Sequence, residues 1–168
     1  LHNRDQAKTF IYAFLYGAGA FKIGNIVGQG RSAGQALINR FLTRLPSLDL
    51  LRKQVTEASA KGSLRGLDGR RLKIRSQHSA LNTLIQGAGA VVCKQWLVHI
   101  MERVIKEQLD IKLVASIHDE YQFEVLNKDV DRFCVITKEA IHATTKTLDL
   151  KCPLDNEYNI GTTWLETH

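Results

Sequence analysis

The chain has 168 residues, close to the length of one ordinary domain. Lys and Arg total 23 against 17 Asp and Glu, a formal net charge of +6, with 44% apolar and 24% charged residues. This composition excludes a disordered tail, and no apolar run reaches the ~18 residues of a membrane span. The positive excess suits a polyanionic partner without requiring one. Cys93, Cys134 and Cys152 are odd in number and lack a CxxC pair. They argue against a disulfide framework or zinc knuckle, and fit a reducing, cytoplasmic compartment. Asn3, Arg4, Asp5 and Lys8 interrupt the region where a signal peptide's apolar stretch would lie. Helical periodicity begins almost at Leu1, which reads as a chain cut on its N-terminal side.

In chain order, residues 3–16 predict a helix capped by Asn3 and stopped at Gly17-Ala18-Gly19. Residues 21–28 predict a short second helix. Ser32-Ala33-Gly34-Gln35 has capping-box form and predicts a helix through Arg44, ended by Pro46. Ser47 then caps a further helix to about Ala60. The segment 64–75 alternates apolar and basic residues around Asp68-Gly69, a hairpin signature. A long helix is expected from Ser79 to Glu107, with Leu81, Leu84, Ile85, Ala88, Val92, Trp96, Ile100 and Val104 on its apolar stripe. Residues 111–126 read as a second hairpin, 129–148 as a helix, and 151–164 as a last short strand. Helices with antiparallel hairpins and no βαβ repetition predict an α+β fold.

Three constellations could carry chemistry. Arg4, Lys8, Tyr12 and Tyr16 recur every four residues, drifting about 40° per step, so they share one helical face. Arg4 and Lys8 lie roughly 6 Å apart along the axis, near the spacing of successive phosphates. The helix N-terminus adds partial positive charge, and the tyrosines form a shelf for a sugar and base. The same spacing also fits a solvated basic turn followed by two half-buried tyrosines. In 113–125 the odd-numbered residues of both arms are apolar, Leu113, Ala115, Ile117, Tyr121, Phe123 and Val125, with Val114, Ser116, Gln122 and Glu124 on the other face. The odd-numbered set shares a face if the tip is the three residues His118-Asp119-Glu120, centred on Asp119. Adjacent carboxylates make a poor turn but good ligands for a hard cation, although an ordinary charged loop gives the same pattern. Finally, His78, Asn82 and Gln86 form a polar strip opposite the apolar stripe, after basic residues Arg65, Arg70, Arg71, Lys73 and Arg75. Amides of this kind can donate to minor-groove acceptors whatever the base sequence, and arginines suit phosphates; a helix cap and a solvated basic hairpin are the plain alternatives.

Together these segments resemble the C-terminal half of family A (pol I-like) DNA polymerases, particularly their bacteriophage branch. Arg4-x3-Lys8-x7-Tyr16-Gly17 has the form of that family's motif B, on the fingers helix called O. Ser79-Ala-Leu-Asn82-Thr-Leu-Ile-Gln86-Gly87 is similar to its palm helix, and Ser116-Ile-His118-Asp119-Glu120 to motif C. The terminal Trp164-x3-His168 is similar to how phage members end, so a native C-terminus is expected. The resemblance implies fingers over residues 1–62 and the C-terminal part of the palm over 63–168. It implies DNA polymerisation, a nucleotidyl transfer from dNTP to a primer 3′-hydroxyl, in the host cytoplasm if the gene is a phage's. Asp119, with Glu120 in support, would bind a pair of Mg²⁺ ions that activate the 3′-hydroxyl and neutralise the departing pyrophosphate. Arg4 and Lys8 would hold the dNTP phosphates, with Lys8 protonating the leaving group. Tyr12 would sense the sugar 3′ substituent, and Tyr16 would stack near the nascent pair. His118, Asn82, Gln86, His78 and Arg75 would contact primer–template DNA. His78 stands where bacterial members often carry Arg.

Motif A, a D-x-S-x-x-E-type strand with the other metal-binding aspartate, finds no match; Asp49 and Asp68 sit in other contexts. The resemblance places it, the thumb and any proofreading exonuclease upstream of Leu1. Partners are then primer–template DNA, dNTP, the missing N-terminal half and a processivity factor carried by the thumb. A single-subunit RNA polymerase shares motif B, but its motif C usually follows His-Asp with a small polar residue where this chain has Glu120. A non-catalytic DNA-binding module has no use for both Lys8 and Asp119.

Overall fold

The computed structural model describes residues 3–167. The chain forms two compact units, Leu1–Ala88 and Gly89–His168. The architecture is α+β, with mainly helical elements and two separate two-stranded antiparallel hairpins.

The first unit opens with α1 (Arg4–Leu15). Asn3 caps it: its side-chain oxygen accepts from the Gln6 N–H at 2.8 Å, satisfying an otherwise orphaned donor. Phe10 and Phe14 are the buried face of α1 and meet Phe41 edge-on, at 5.0 and 5.3 Å between centroids. The helix ends on Gly17 at φ +79°, and the Ala18 N–H reaches back to the Ala13 carbonyl at 2.9 Å. α2 (Ala20–Ile26) then packs on α3 (Arg31–Arg44) with backbones nearly touching: a Cβ on Gly34 would run into the Ala20 carbonyl oxygen.

Two helix starts differ from expectation. α3 begins at Arg31 behind Gly30, so Ser32 lies inside the first turn and caps nothing. α4 (Pro46–Ser59) begins on Pro46, whose missing N–H is one the first turn leaves unpaired anyway; Leu45 holds the cap position in place of Ser47. The expected basic hairpin is present as β1 (Ser63–Arg65) against β2 (Arg71–Lys73). Phe10, Phe14, Ile23, Ile38, Val55, Leu64, Ala80 and Leu81 form this unit's core.

α5 (Ala80–Lys106) spans the boundary between the units. In the second unit Ile100 and Val104 from α5 close a core with Ile111, Phe133, Ile136 and Ala140. β3 (Ile111–Ile117) pairs with β4 (Glu120–Val125). α6 (Val130–Thr147) buries Phe133, Ile136, Thr137, Ala140, Ile141 and Thr144, a stripe at spacings of three and four. The Trp96 indole N–H donates to the Thr137 carbonyl at 3.0 Å and ties α5 to α6. Glu107 accepts from Arg132 at 2.5 Å and lies 3.2 Å from Arg103, which also reaches Glu139 at 2.7 Å.

The expected strand in the tail does not form. Residues 154–156 are fastened to α6 by side chains instead: the Leu154 N–H donates to Thr145 Oγ1 at 3.2 Å, and Asn156 Nδ2 to Thr137 Oγ1 at 3.2 Å. The described chain finishes in a short helical turn, α7 (Trp164–Thr167). His168, the last residue of the expected terminal motif, lies outside the described residues, as do Leu1 and His2.

Candidate active site

On α1, Phe10 and Phe14 take the core side, which leaves Arg4, Lys8, Tyr12 and Tyr16 exposed. The tyrosine rings are 53% and 59% accessible, far more than half-buried core tyrosines would be. Neither Arg4 nor Lys8 is ion-paired with a carboxylate among the described residues. The face therefore presents two unneutralised cations and two open rings, beginning at the helix end whose dipole favours anions.

His78 sits in a 3₁₀ turn (Gln77–Ser79) just before α5, and Asn82 and Gln86 follow on the helix. His78 and Gln86 are exposed and Asn82 is half-buried. The turn is pressed against the end of α1: a Cβ on Gly17 would strike the His78 carbonyl oxygen. The end of α1 and the His78 turn therefore share a backbone contact. Beside it lies a cavity of about 370 Å³, lined by Phe14, Gly17, Arg52, His78 and Leu81 among others.

The basic hairpin carries an unusual pairing. Arg65 stands directly opposite Arg71, and Lys73 opposite Ser63. Like charges facing across a ladder destabilise it, and both arginines are exposed. Arg70 alone is compensated, by Asp68 at 2.6 Å. Arg75, just beyond β2, is also exposed.

In the second unit the tip of the β3–β4 hairpin corrects the three-residue expectation. Ile117 pairs with Glu120, so the turn is the two residues His118 and Asp119, and Glu120 belongs to the strand. His118 takes the left-handed conformation, φ +52°, that a two-residue hairpin demands at its first position. An even turn would put Leu113 and Ile111 out of phase with Phe123 and Val125. The register slips by one at Val114, and that bulge restores the facing of Leu113 and Ile111; above it the expected single apolar face does not form, because Ala115 and Ile117 stand opposite Gln122 and Glu120 while Tyr121 stands opposite Ser116. Below the tip, Tyr121 packs on Trp96 at 5.5 Å and on Phe123 at 6.3 Å, and Phe123 packs on Phe133 at 4.8 Å. This aromatic ladder anchors the hairpin to α5 and α6.

His118 and Asp119 are exposed and Glu120 is half-buried. Glu120 Oε1 accepts from Gln122 Nε2. Burial, and after it the nearby charge of Asp119, pushes the Cys93 thiol pKa above its ordinary value. Tyr121 is raised by burial and then by Cys93, while the Ser116 hydroxyl lowers it. Asp119 thus lies near Cys93 of α5. No group of three or more His, Cys, Asp or Glu side chains forms a metal cage among the described residues. The two carboxylate-bearing residues at the tip fit a divalent cation in kind, as hard oxygen donors, but make only part of a ligand set. Gln122, which donates to Glu120, and Thr167, which donates to Gln122, were absent from the sequence expectations. The only local hint was Gln122 lying two residues beyond Glu120.

The sequence profile of DNA polymerase family A matches residues 1–166. The chain belongs to this family. It is 40% identical over 175 residues to the DNA-directed DNA polymerase of Escherichia phage Phieco32, covering 100% of this chain and 28% of that protein. It is 36% identical over 190 residues to the corresponding enzyme of Enterobacteria phage T3, again over all of this chain and 27% of the relative. DNA polymerase I of Pseudomonas aeruginosa is 29% identical over 98% of this chain and 19% of its own length. The family A chain thus spans about a quarter of the length of its phage relatives. Among solved structures, the polymerase domain of Pol1 from M. smegmatis, in complex with DNA primer-template and dNTP, shares the fold with a TM-score of 0.77. That match has 19% identity and covers 84% of this chain and 27% of the other. Among the described residues no helix is long and apolar enough to cross a membrane.

Proposed function

We propose that this chain is the fingers and C-terminal palm portion of a template-directed DNA polymerase, with fingers over residues 1–62 and palm over 63–168. The observation that carries the reading is the hairpin tip. A family A chain places an exposed aspartate in a strained two-residue turn, next to a strand carboxylate and braced by an aromatic ladder. That is a costly way to build an ordinary surface loop.

Arg4 and Lys8 grip the triphosphate from α1, and the Lys8 ammonium gives a proton to the departing pyrophosphate oxygen. Tyr12 lies beside the nucleotide sugar, where it reads the 3′ position, and Tyr16 stacks on the nascent base pair. Asn82, Gln86, His78 and His118 donate to minor-groove acceptors of the primer terminus, a contact indifferent to base identity. Arg75, with the uncompensated Arg65 and Arg71, takes DNA phosphates. Asp119 and Glu120 would hold one side of a magnesium pair, which when bound neutralises charge on the reacting phosphate. The remaining ligands come from a segment outside this chain. The upstream half is therefore an obligatory partner, and a processivity protein would attach there. A host-cytoplasmic location follows if the gene is a phage's.

Primer extension by the polymerase reunited with its upstream part tests the reading. Asp119→Ala is expected to abolish turnover while primer–template affinity stays as in the wild type. Undiminished turnover in Asp119→Ala would refute a catalytic role and leave a DNA-binding module. A comparison of ribonucleotide with deoxynucleotide incorporation separates DNA from RNA synthesis.

A further inference from the structure

The Glu120 side chain does not stand alone on its strand. Glu120 and Gln122 are two residues apart on β4 and leave the same face, and Gln122 Nε2 donates to Glu120 Oε1. An amide offers donors at one end and acceptors at the other, so whatever binds its oxygen decides which end meets a neighbour. Here Gln122 Oε1 accepts from the Thr167 hydroxyl at 3.4 Å. The same hydroxyl lies 3.2 Å from the Trp164 carbonyl oxygen within α7.

That last turn is itself fastened. Glu166 Oε2 accepts from the N–H groups of Thr162 at 2.5 Å and Thr163 at 3.2 Å, and from the Thr162 hydroxyl at 3.0 Å. The Thr162 N–H and hydroxyl, then the Thr163 N–H, hold the Glu166 carboxyl below its ordinary range. The hydrogen bonds thus run from an anchored terminal turn, through one amide, to the carboxylate beside Asp119.

We propose that Gln122 is a positioning residue for the Glu120 carboxylate, and that the C-terminal turn sets the Gln122 amide through the Thr167 hydroxyl. The inference rests on the reading of Asp119 and Glu120 as cation-holding carboxylates. A glutamate has three rotatable side-chain bonds, so an unrestrained carboxylate at 120 would lose conformational freedom on each binding event. Residues that orient metal ligands from behind change metal affinity by about 10–100-fold when lost.

The test is direct binding of Mn²⁺ as a magnesium surrogate, read by electron paramagnetic resonance without nucleotide, to the polymerase that contains this chain. Gln122→Leu is expected to weaken Mn²⁺ binding about 10-fold. Thr167→Val should weaken it about threefold, as loss of one hydrogen bond would, and Thr167→Ser should restore it. Thermal melts establish which variants fold; if Gln122→Leu does not, Thr167→Val against Thr167→Ser decides. Asp119→Ala separates the two levels of the proposal. Mn²⁺ binding absent from the wild type, or unaffected by Asp119→Ala, overturns the reading of the tip as a cation site. Binding lost in Asp119→Ala but unchanged in folded Gln122→Leu, or in Thr167→Val where that variant decides, overturns the positioning role alone.

Discussion

Replacing Gly17 by alanine probes the junction between α1 and the His78 turn, and two costs can be worked out separately. Gly17 sits at φ +79°, a conformation that costs an L-residue about 1–2 kcal/mol. Its new methyl would also overlap the His78 carbonyl group, whose carbon lies 3.2 Å from the Cβ position, and overpacking of this kind costs about 1–3 kcal/mol. The sum is roughly 2–5 kcal/mol. Gly28 isolates the first term, because φ is +66° there and nothing lies within 4 Å of the added Cβ. Gly28→Ala should therefore cost only about 1–2 kcal/mol. Gly89, inside α5 with open space around it, should gain about 1 kcal/mol on substitution by alanine. Urea denaturation followed by far-ultraviolet circular dichroism ranks the three. A Gly17→Ala cost no greater than that of Gly28→Ala would refute the contact with His78, and with it the coupling of α1 to the turn that precedes α5.

Phe10 is 1% exposed at the meeting of three aromatic rings, so Phe10→Ala should cost about 3–5 kcal/mol, read from the same denaturation curves. Glu107 is lowered from 4.5 to about 2, first by the hydrogen bond from Arg132 and also by Arg103. Its folded pKa lies below the unfolded one, so its contribution is complete above pH 4.5 and is lost as pH falls towards 2. Glu107→Gln should therefore lower stability at neutral pH and flatten the acid limb of the melting profile in that window; an unchanged limb would contradict the Arg132 pairing. Finally, the purified 168-residue chain should not extend a primer, since two-metal chemistry needs carboxylates from a second strand; template-dependent incorporation by it alone would overturn that expectation.

What was legible in the sequence was local. Asn3, the four-residue spacing from Arg4 to Tyr16 and the stop at Gly17 are contained within a few turns of one helix, and they predicted α1 and its exposed face. The starts of α3 and α4 were misread because Ser32 and Ser47 are strong cap residues in isolation, while Gly30 and Pro46 before them set the true boundaries. The alternation in 113–125 held below Val114, where Leu113 faces Phe123 and Ile111 faces Val125, but failed above it, where the two-residue turn sets Ala115 and Ile117 opposite Gln122 and Glu120 rather than beside Tyr121. The tail resisted reading because its partners, Thr137 and Thr145, lie on another helix, and hydrogen bonds of that range leave no periodic trace. Thr167 and Gln122, 45 residues apart, are invisible for the same reason.

The bulge at Val114 gives the hairpin a compensating length. Because side chains alternate, lengthening the tip by one residue while deleting Val114 leaves Ile111, Leu113, Phe123 and Val125 facing as they do now. The reach of the Asp119 loop can therefore drift by a residue in evolution or in engineering without disturbing the anchored end. Loss of Val114 alone would turn the bulge into a regular ladder, with Leu113 still opposite Phe123.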